Sequence, residues 1–279
     1  MLTAVLGGFD GIHLGHRHLI ASAGHSPQVI CMEPIPRQVI AGPEWTRRLT
    51  TPGERRKALH DMGIMGIIDL PFHRGLMACT PKDFPSVLAR LGRFDRVAVG
   101  WDFRYGHDRA GQASDLAGSL QGTEVIVVPP LLREGRPVKS EGIRNLLEAG
   151  MLDEAAELLG RRYRCTGVVS RGKGRGKLLG FPTMNVTVPS CKLLPPAGSY
   201  AVSVRVRDAE YPAAAFRLPG RNCVEVHIPG FHGETYGCVS EVVFARGLRR
   251  PERAHDDRHL KELIDKDVNA AMEVMKQWQ

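Results

Sequence analysis

The sequence GGFDGIHLGH at residues 7–16 gives the clearest indication of how the N-terminal half folds. It follows the apolar run TAVL at 3–6 and precedes a helix-like segment at 13–24 that ends at Gly24. This order predicts the first strand-to-helix turn of a parallel α/β sheet. Gly7, Gly8, Gly11 and Gly15 allow a tight turn and a close approach of the backbone to a ligand. Ligands bind such sheets beyond the carboxyl ends of the strands, so this turn is the first candidate site.

His13 and His16 stand three residues apart and are expected on one side of the helix start. A helix start attracts anions through its unpaired N–H groups and partial positive charge. Two imidazoles there can donate to phosphate oxygens and stabilise the charge on an α-phosphate under attack, with pyrophosphate leaving. The motif holds no Cys or Ser, so no covalent nucleophile is implied. The alternative is a glycine-rich turn with two surface histidines.

Outward from this motif, strand-like and helix-like segments alternate. The predicted helices at 51–63 and 80–92 both start with Thr-Pro and stop at Gly, with Thr51 as N-cap and Pro52 after it. The alternation predicts βαβ units and a parallel sheet covered on both faces. Its five strands are expected within 3–9, 28–34, 64–72, 96–103 and 123–131.

After two short predicted helices at 140–150 and 151–160, the character of the sequence changes. Short β-rich runs punctuated by Gly and Pro fill residues 161–247, which suits a small antiparallel barrel. Helical spacing returns from Leu260 to Met275 and predicts a final helix packed on the barrel. We therefore expect one domain at 1–160 and a second at 161–279.

Composition limits the possible classes of protein. The longest apolar runs fall far short of ~20 residues, so no membrane-spanning helix is expected, and no export signal is read at the N-terminus. Six scattered cysteines argue against a zinc site or a disulfide framework and suit a reducing cytoplasm. The net charge of +8 fits nucleic acid or anionic small molecules. Only 6% aromatic residues and short basic clusters favour solvated surface charge over a nucleic-acid site.

A second motif, GVVSRGKGRGKLLGFPTMN at 167–185, places glycines among cationic residues. Such a loop can wrap phosphates through backbone N–H groups, although it lacks P-loop spacing. Thr183 and Asn185 are predicted to alternate on a strand and to offer hard oxygen ligands to Mg²⁺. Glu225, in CVEVHI, is a candidate base for an attacking hydroxyl. The alternative for the glycine-rich loop is a mobile hairpin, and the alternative for Glu225 is a solvent-facing glutamate on a strand.

The first motif, read as G-x-F-D-G-x-H-x-G-H, resembles the adenylyltransferase module of bacterial FAD synthases. Further matches are EPIPR at 33–37, RLTTPGERRKALHDMG at 48–63, VGWDFRYGHDRAG at 99–111 and LLEAGMLDEAAELLGRRY at 146–163. The resemblance implies AMP transfer from ATP to FMN, with His13 and His16 as catalytic residues. It also implies that Asp102 and Phe103 contact the flavin. The implied contacts with ATP or its phosphates are Gly8, Phe9, Asp10, Gly15, Ser140 and Arg144.

The second motif resembles the riboflavin kinase module, together with LLPPAGSYAV at 193–202, VEVHI at 224–228, YG at 236–237 and LRRPE at 248–252. The resemblance implies a six-stranded barrel over 161–250 and attack of the riboflavin 5′-hydroxyl on the γ-phosphate of ATP. Glu225 is implied as the base, Thr183 and Asn185 as Mg²⁺ ligands, and Arg249 as a flavin contact. The implied phosphate contacts are Gly172, Gly174, Gly176 and Lys177.

Four departures from the two family patterns leave alternatives open. Met32 and Ile35 replace an aromatic residue and a histidine, and Lys139 and Glu141 replace serine and threonine. Glu141 adds negative charge near the expected triphosphate, which is unfavourable unless Mg²⁺ or Lys139 offsets it. In the kinase half, AAAFRLPGRN lacks an expected threonine and Gly230 replaces an aspartate.

We therefore expect a cytoplasmic, Mg²⁺-dependent bifunctional enzyme that binds riboflavin, FMN and ATP. It is expected to use neither nucleic acid nor membrane and to be a monomer or weak oligomer. The alternatives are a riboflavin kinase with weak or lost adenylyltransferase activity and, from another class, a regulator or RNA-binding protein.

Overall fold

The computed structural model describes residues 1–42, 45–172 and 174–278, which fold as two compact units, 1–140 and 141–279. The predicted helices before Gly160 are counted with the second unit by their packing. The domain boundary at Gly160 therefore stays a prediction. Among the described residues, none of the helices has both the length and the apolar character that a membrane span needs. The six cysteines, all of which are described, form no disulfide.

The first unit contains the predicted five-stranded parallel sheet, in the order β3-β2-β1-β4-β7. Its strands are β1 (Thr3–Gly7), β2 (Gln28–Glu33), β3 (Ile67–Pro71), β4 (Arg96–Gly100) and β7 (Glu124–Val128). Two-residue strands form two small ladders, β5 (Arg104–Tyr105) with β6 (Gly111–Gln112) and β8 (Leu132–Arg133) with β9 (Arg136–Pro137). Because β2 and β4 flank β1, the strand order reverses at β1, and residues 7–16 lie at this switch point.

The helices of the first unit are α1 (Leu14–Ser22), α2 (Pro36–Ala41), α3 (Pro52–His60), α4 (Arg74–Met77), α5 (Phe84–Ala89) and α6 (Ala113–Ser119). Thr51 caps α3 as predicted, in a reciprocal capping box with Glu54. The prediction of a helix from Thr80 was wrong, because α5 begins only at Phe84. The Thr80 hydroxyl bonds to the Asp83 carboxylate at 2.6 Å and closes a turn instead. The pattern did not predict α2, α4 and α6, which are short.

Alternation along β1 explains why both faces of the sheet are covered. Ala4 and Leu6 pack into one buried cluster with Phe84 of α5, while Val5 packs into the opposite cluster with Leu19 of α1. Successive residues of a strand point to opposite faces, so a strand that is apolar throughout needs helices on both sides. The loops at the carboxyl edge are thereby placed over a rigid base.

Two predicted helices follow: α7 (Ser140–Glu148), which starts at the last residue of the first unit, and α8 (Leu152–Leu159) in the second unit. A closed antiparallel barrel follows, in the order β10-β11-β14-β13-β12-β15, so the predicted six-stranded barrel is confirmed. Its strands are β10 (Arg164–Ser170), β11 (Met184–Thr187), β12 (Gly198–Val206), β13 (Ala209–Arg217), β14 (Cys223–His227) and β15 (Val239–Arg249), and a short helix α9 (Arg175–Leu178) precedes β11.

The final helix α10 (Asp257–Lys276) packs on the outside of the barrel, as predicted. Small side chains on the strands, Ala201, Ala214 and Ala245, lie in one buried cluster with Val268 and Ala271 of the helix. Alanines on the strands let a helix approach a curved sheet closely.

Candidate functional site

His13 and His16 lie together at the start of α1. His13 is the N-cap of the helix, and its Nδ1 accepts the backbone N–H of His16 at 3.3 Å. The two rings stack with centroids 3.6 Å apart and an angle of 17° between their planes. Because Nδ1 of His13 acts as an acceptor, a neutral ring carries its proton on Nε2 and can donate from there. The predicted pairing of the two imidazoles at a helix start is therefore present.

Asp10 is a buried anchor of the same turn. Its carboxylate accepts the backbone N–H groups of Leu49 and Thr50, each at 3.0 Å, and the Thr50 hydroxyl at 3.2 Å. The Ser140 hydroxyl donates to the Asp10 carbonyl at 2.9 Å. These bonds tie three distant segments of the first unit together. The phosphate contact predicted for Asp10 stays a prediction, and its side chain already has a structural role.

Phe9 and Gly15 set the close packing of this turn. Phe9 is fully buried with a positive φ of 49°, and its ring meets the His16 ring edge-on at 5.3 Å. A Cβ on Gly15 would stand 2.8 Å from the Val138 carbonyl and 3.2 Å from the His13 ring. Gly8 has more space, since its nearest neighbour would be 3.7 Å away. Glycine is therefore required at Gly15 and only tolerated at Gly8.

A cavity of about 200 Å³ opens beside the two histidines. The structure brings five predicted site residues to its wall: His13, Gly15, His16, Asp102 and Ser140. Lys139 lines it as well, and its Nζ lies 2.7 Å from the Asp102 carboxylate and 4.6 Å from the centre of the Trp101 ring. Imidazoles, a hydroxyl and an ammonium group suit phosphate oxygens.

A larger cavity of about 810 Å³ adjoins the first, and His16 and Asp102 line both. Phe103, predicted near the flavin, lies in its wall with Tyr105, and the two rings are 5.9 Å apart. Sequence reasoning missed the arginines of this wall, Arg74, Arg104 and Arg109. Two of them stand in the stretch DFRYGHDR, and that clustering was the available signal.

Glu141, predicted to be unfavourable near a triphosphate, has a partner in its own helix. The Arg144 guanidinium lies 3.0 Å from the Glu141 carboxylate, and the Arg144 side chain is buried. Lys139 pairs with Asp102 instead. The phosphate contact predicted for Arg144 stays a prediction.

In the second unit, Asn185 of β11 is paired in register with Glu225 of β14. Directly opposed residues of antiparallel strands place their side chains on the same face. Met184, Val186, Val224 and Val226 are buried on the other face, so Asn185 and Glu225 lie on the outside of the barrel. Thr183 precedes β11, so its predicted place on the strand was wrong by one residue.

The glycine loop lies directly against these side chains. A Cβ on Gly172 would come within 2.2 Å of the Asn185 amide nitrogen. One on Gly176 would come within 2.5 Å of the Phe181 carbonyl and 3.4 Å of the Thr183 hydroxyl. Gly174 has a φ of +72° and precedes α9, which carries Lys177. Lys173, also named in the motif, lies outside the described residues.

Glu225 is a partly buried carboxylate beside this loop. Burial raises the pKa of Glu225 above its ordinary value, and the Arg221 guanidinium, 3.9 Å away, partly lowers it again. A carboxylate with a raised pKa is a better proton acceptor once it is ionised, and this is the property required of a general base.

Arg249, predicted as a flavin contact, is held by α10. Its guanidinium donates to both oxygens of Asp267, at 2.8 and 2.7 Å, and Asp267 also accepts the Ser199 hydroxyl at 3.1 Å. Asp267 is almost fully buried and was missed by the sequence reading. The pair anchors the final helix to β12 and β15, and the flavin contact stays a prediction.

Comparison with known proteins identifies both halves. The family "FAD synthetase" matches residues 2–142, and the family "Riboflavin kinase" matches residues 159–275. Curated relatives named bifunctional riboflavin kinase/FMN adenylyltransferase include one from Pseudomonas fluorescens, 32% identical over 96% of this chain and 91% of that protein. A relative with the same name from Bacillus subtilis is 28% identical over 96% of this chain and 90% of that protein.

A crystal structure described as a macrolide-efflux protein from Streptococcus pneumoniae has a similar fold. Its TM-score is 0.86 at 27% identity, over 100% of this chain and 94% of that one. The architecture of the sheet and of the barrel therefore also occurs within one solved chain. With both family matches in the expected order and relatives of the same name along nearly the whole length, the chain belongs to the bifunctional riboflavin kinase/FMN adenylyltransferase family.

Proposed function

We propose that this chain makes FAD from riboflavin in two ATP-dependent steps. The barrel transfers the γ-phosphoryl group of ATP to riboflavin, and the parallel-sheet unit transfers AMP from a second ATP to the FMN that results. The observation that supports the proposal is that each matched half brings together side chains whose chemistry suits phosphate binding and proton transfer. One group surrounds His13 and His16, and the other surrounds Asn185 and Glu225.

In the kinase step, Glu225 accepts the proton of the riboflavin 5′-hydroxyl as that oxygen attacks the γ-phosphorus of ATP, and ADP leaves. Backbone N–H groups of the loop around Gly172, Gly174 and Gly176, with Lys177, hold the phosphates. Phosphoryl transfer depends mainly on positioning and charge stabilisation, which this arrangement can supply.

The oxygen donors of Thr183 and Asn185 suit Mg²⁺, a hard cation that prefers oxygen ligands and phosphate oxygens. The close approach of Gly172 to Asn185 and of Gly176 to Thr183 supports this assignment, because the loop brings its phosphate-binding backbone to the same side chains. When bound, Mg²⁺ neutralises phosphate charge. Asn185 and Thr183 set where the phosphates lie relative to Glu225.

In the adenylyltransferase step, a terminal phosphate oxygen of FMN attacks the α-phosphorus of ATP, and pyrophosphate leaves. The attacking phosphate is already ionised, so the step needs no strong base. His13 and His16 donate to the α-phosphate oxygens and stabilise the charge that develops on them. The smaller cavity receives ATP phosphates, and the larger one receives the flavin against Phe103 and Tyr105. His16 lines both cavities, which supports a reacting phosphorus at the point where the two cavities meet.

The remaining assignments follow from this function. We assign the adenylyltransferase domain to residues 1–160 and the kinase domain to 161–279, which is supported by family matches at 2–142 and 159–275. Six cysteines without a disulfide suit the reducing cytoplasm. The basic charge is assigned to anionic nucleotide and flavin substrates rather than to nucleic acid, and the working state to a monomer or weak oligomer.

The alternative of a kinase without adenylyltransferase activity gains no support. The FAD synthetase family matches the whole first unit, and the charge of Glu141 is paired with Arg144.

The test is to incubate the purified chain with riboflavin, ATP and Mg²⁺ and to separate the flavins by chromatography. We expect FMN to appear first and FAD after it, and FMN supplied directly should also yield FAD. FMN alone would overturn the adenylyltransferase assignment. The absence of both products would overturn the proposal and favour a regulatory protein on the same scaffold.

A further inference from the structure

The acidic side chain of Asp102 stands between two cavities that receive anions. Asp102 lines both the smaller cavity and the larger one, and of the residues that the structure describes it is the one carboxylate that does so. ATP phosphates and the FMN phosphate are both strongly anionic. An unpaired carboxylate between them would repel both, because like charges brought together across a binding surface are unfavourable.

Lys139 is placed to remove this repulsion. Its Nζ lies 2.7 Å from the Asp102 carboxylate, and its ammonium also lies over the face of Trp101. Both contacts hold the cation at the wall of the smaller cavity, which His13 and His16 also line. Serine stands at this position in the pattern that the chain otherwise resembles, so the cation is a feature of this sequence.

The exposure of the pair shows that stability is not its main effect. The side chains of Lys139 and Asp102 are 47% and 50% exposed. Ion pairs this exposed contribute little to folding, since water and salt screen them. Their charge matters far more when a polyphosphate enters the same cavity and displaces that water.

We propose that Lys139 is a positioning residue of the adenylyltransferase reaction, and that its role is to neutralise the Asp102 carboxylate in the wall that the two cavities share. The inference rests on the proposed function of the first unit. Lys139 forms and breaks no covalent bond. It lowers the repulsion that ATP and FMN meet at Asp102 and so tightens the binding of both.

The test measures FAD formation from supplied FMN with Lys139→Met, Lys139→Arg and the control Lys57→Met in the full chain. Lys57 forms an ion pair with Asp61 at 2.9 Å with nearly the same exposures, 49% and 54%, and lines neither cavity. We expect Lys139→Met to raise the KM for ATP about tenfold, because like-charge repulsion is restored. Lys139→Arg should recover most of this loss, and Lys57→Met should change nothing.

A double-mutant cycle separates this role from a structural one. With Asp102→Asn present, the repulsion is absent, so the additional loss caused by Lys139→Met should shrink to about twofold or less. FMN formation from riboflavin and the thermal unfolding of each variant report on folding. An unchanged KM for ATP in Lys139→Met, an equal loss in Lys57→Met, or a full additional loss in the Asp102→Asn background would overturn the inference. A wild-type chain that forms no FAD would instead overturn the proposed function itself.

Discussion

Replacing Gly172 by alanine adds one carbon atom directly beside the carboxamide of Asn185. The new Cβ would stand 2.2 Å from Nδ2 and 2.8 Å from Cγ, whereas ordinary contacts begin at 3.4 Å. The amide nitrogen must therefore withdraw by 0.8 Å to reach a tight contact of 3.0 Å, and by 1.2 Å to reach an ordinary one. Gly172 is not among the residues with positive φ, so the effect is a clash and not backbone strain.

We expect this displacement to reduce riboflavin kinase activity strongly. A shift of about 1 Å in a positioning group can cost about 10²-fold in rate. Because Asn185 is the proposed Mg²⁺ ligand, the Mg²⁺ concentration for half-maximal FMN formation should also rise. The assay is FMN formation from riboflavin over a range of Mg²⁺ concentrations, followed by chromatography. FAD formation from supplied FMN should be unchanged, since it uses the other unit.

Two further glycines serve as comparisons. Gly247→Ala adds a Cβ in the same barrel at an ordinary 3.6 Å from the Tyr200 ring and should be tolerated. Gly176→Ala should be at least as damaging as Gly172→Ala, because its Cβ would meet the backbone carbonyl of Phe181 at 2.5 Å, and a backbone yields less easily than a side-chain tip. A normal kcat and a normal Mg²⁺ dependence in Gly172→Ala would contradict the proposed clash with Asn185, and so would an equal loss of activity in Gly247→Ala.

Three predictions concern other charged or titratable groups. Glu225→Gln should lower FMN formation by about 10²–10⁴-fold while leaving FAD formation from FMN intact. In the wild type, the rate of FMN formation should rise with pH through the raised pKa of Glu225, because the base must be ionised. Burial favours the protonated form of Glu225, so this group stabilises the folded state below that pKa and loses the contribution as pH rises through it. Denaturant unfolding should therefore show that Glu225→Gln gains stability relative to the wild type as pH rises. His13→Asn should abolish FAD formation but keep the stability of the chain, since asparagine can still cap α1. His13→Ala should in addition lower the free energy of unfolding by about 1 kcal/mol, because the cap is lost. A His13→Asn variant that still makes FAD would contradict the role of the imidazole. Arg249→Met should destabilise the chain by about 3–5 kcal/mol in denaturant unfolding, because it leaves the Asp267 carboxylate buried without its cation. Adding Asp267→Leu to this variant should restore the stability. A KM for riboflavin that stays raised in the double variant would support the flavin contact of Arg249, and a normal KM would exclude it.

Local patterns predicted most of the elements correctly. The N-terminus of α3 depends on Thr51, Pro52 and Glu54, which are neighbours in the sequence. Local sequence is therefore enough to predict where this helix begins. Thr80 shows the limit of this reasoning, because the same Thr-Pro signal formed a turn once Asp83 was within reach of its hydroxyl. Periodicity did not predict β13, because its run of alanines and Pro212 is not typical of a strand. Small side chains are favourable there because α10 packs against this strand.

The amino-acid sequence predicted the fold class, the order of the two halves and the two glycine-rich motifs, because these depend on residue spacing along short stretches of chain. It also determined that His13 and His16 share one side of a helix start. The partners of the charged groups became visible only in the folded chain. Asp10 reaches Leu49, Lys139 reaches Asp102 and Arg249 reaches Asp267 across separations in the chain that no local pattern encodes. The reason is physical: a charge takes the partner that packing brings within about 3 Å, and packing depends on every element of the fold.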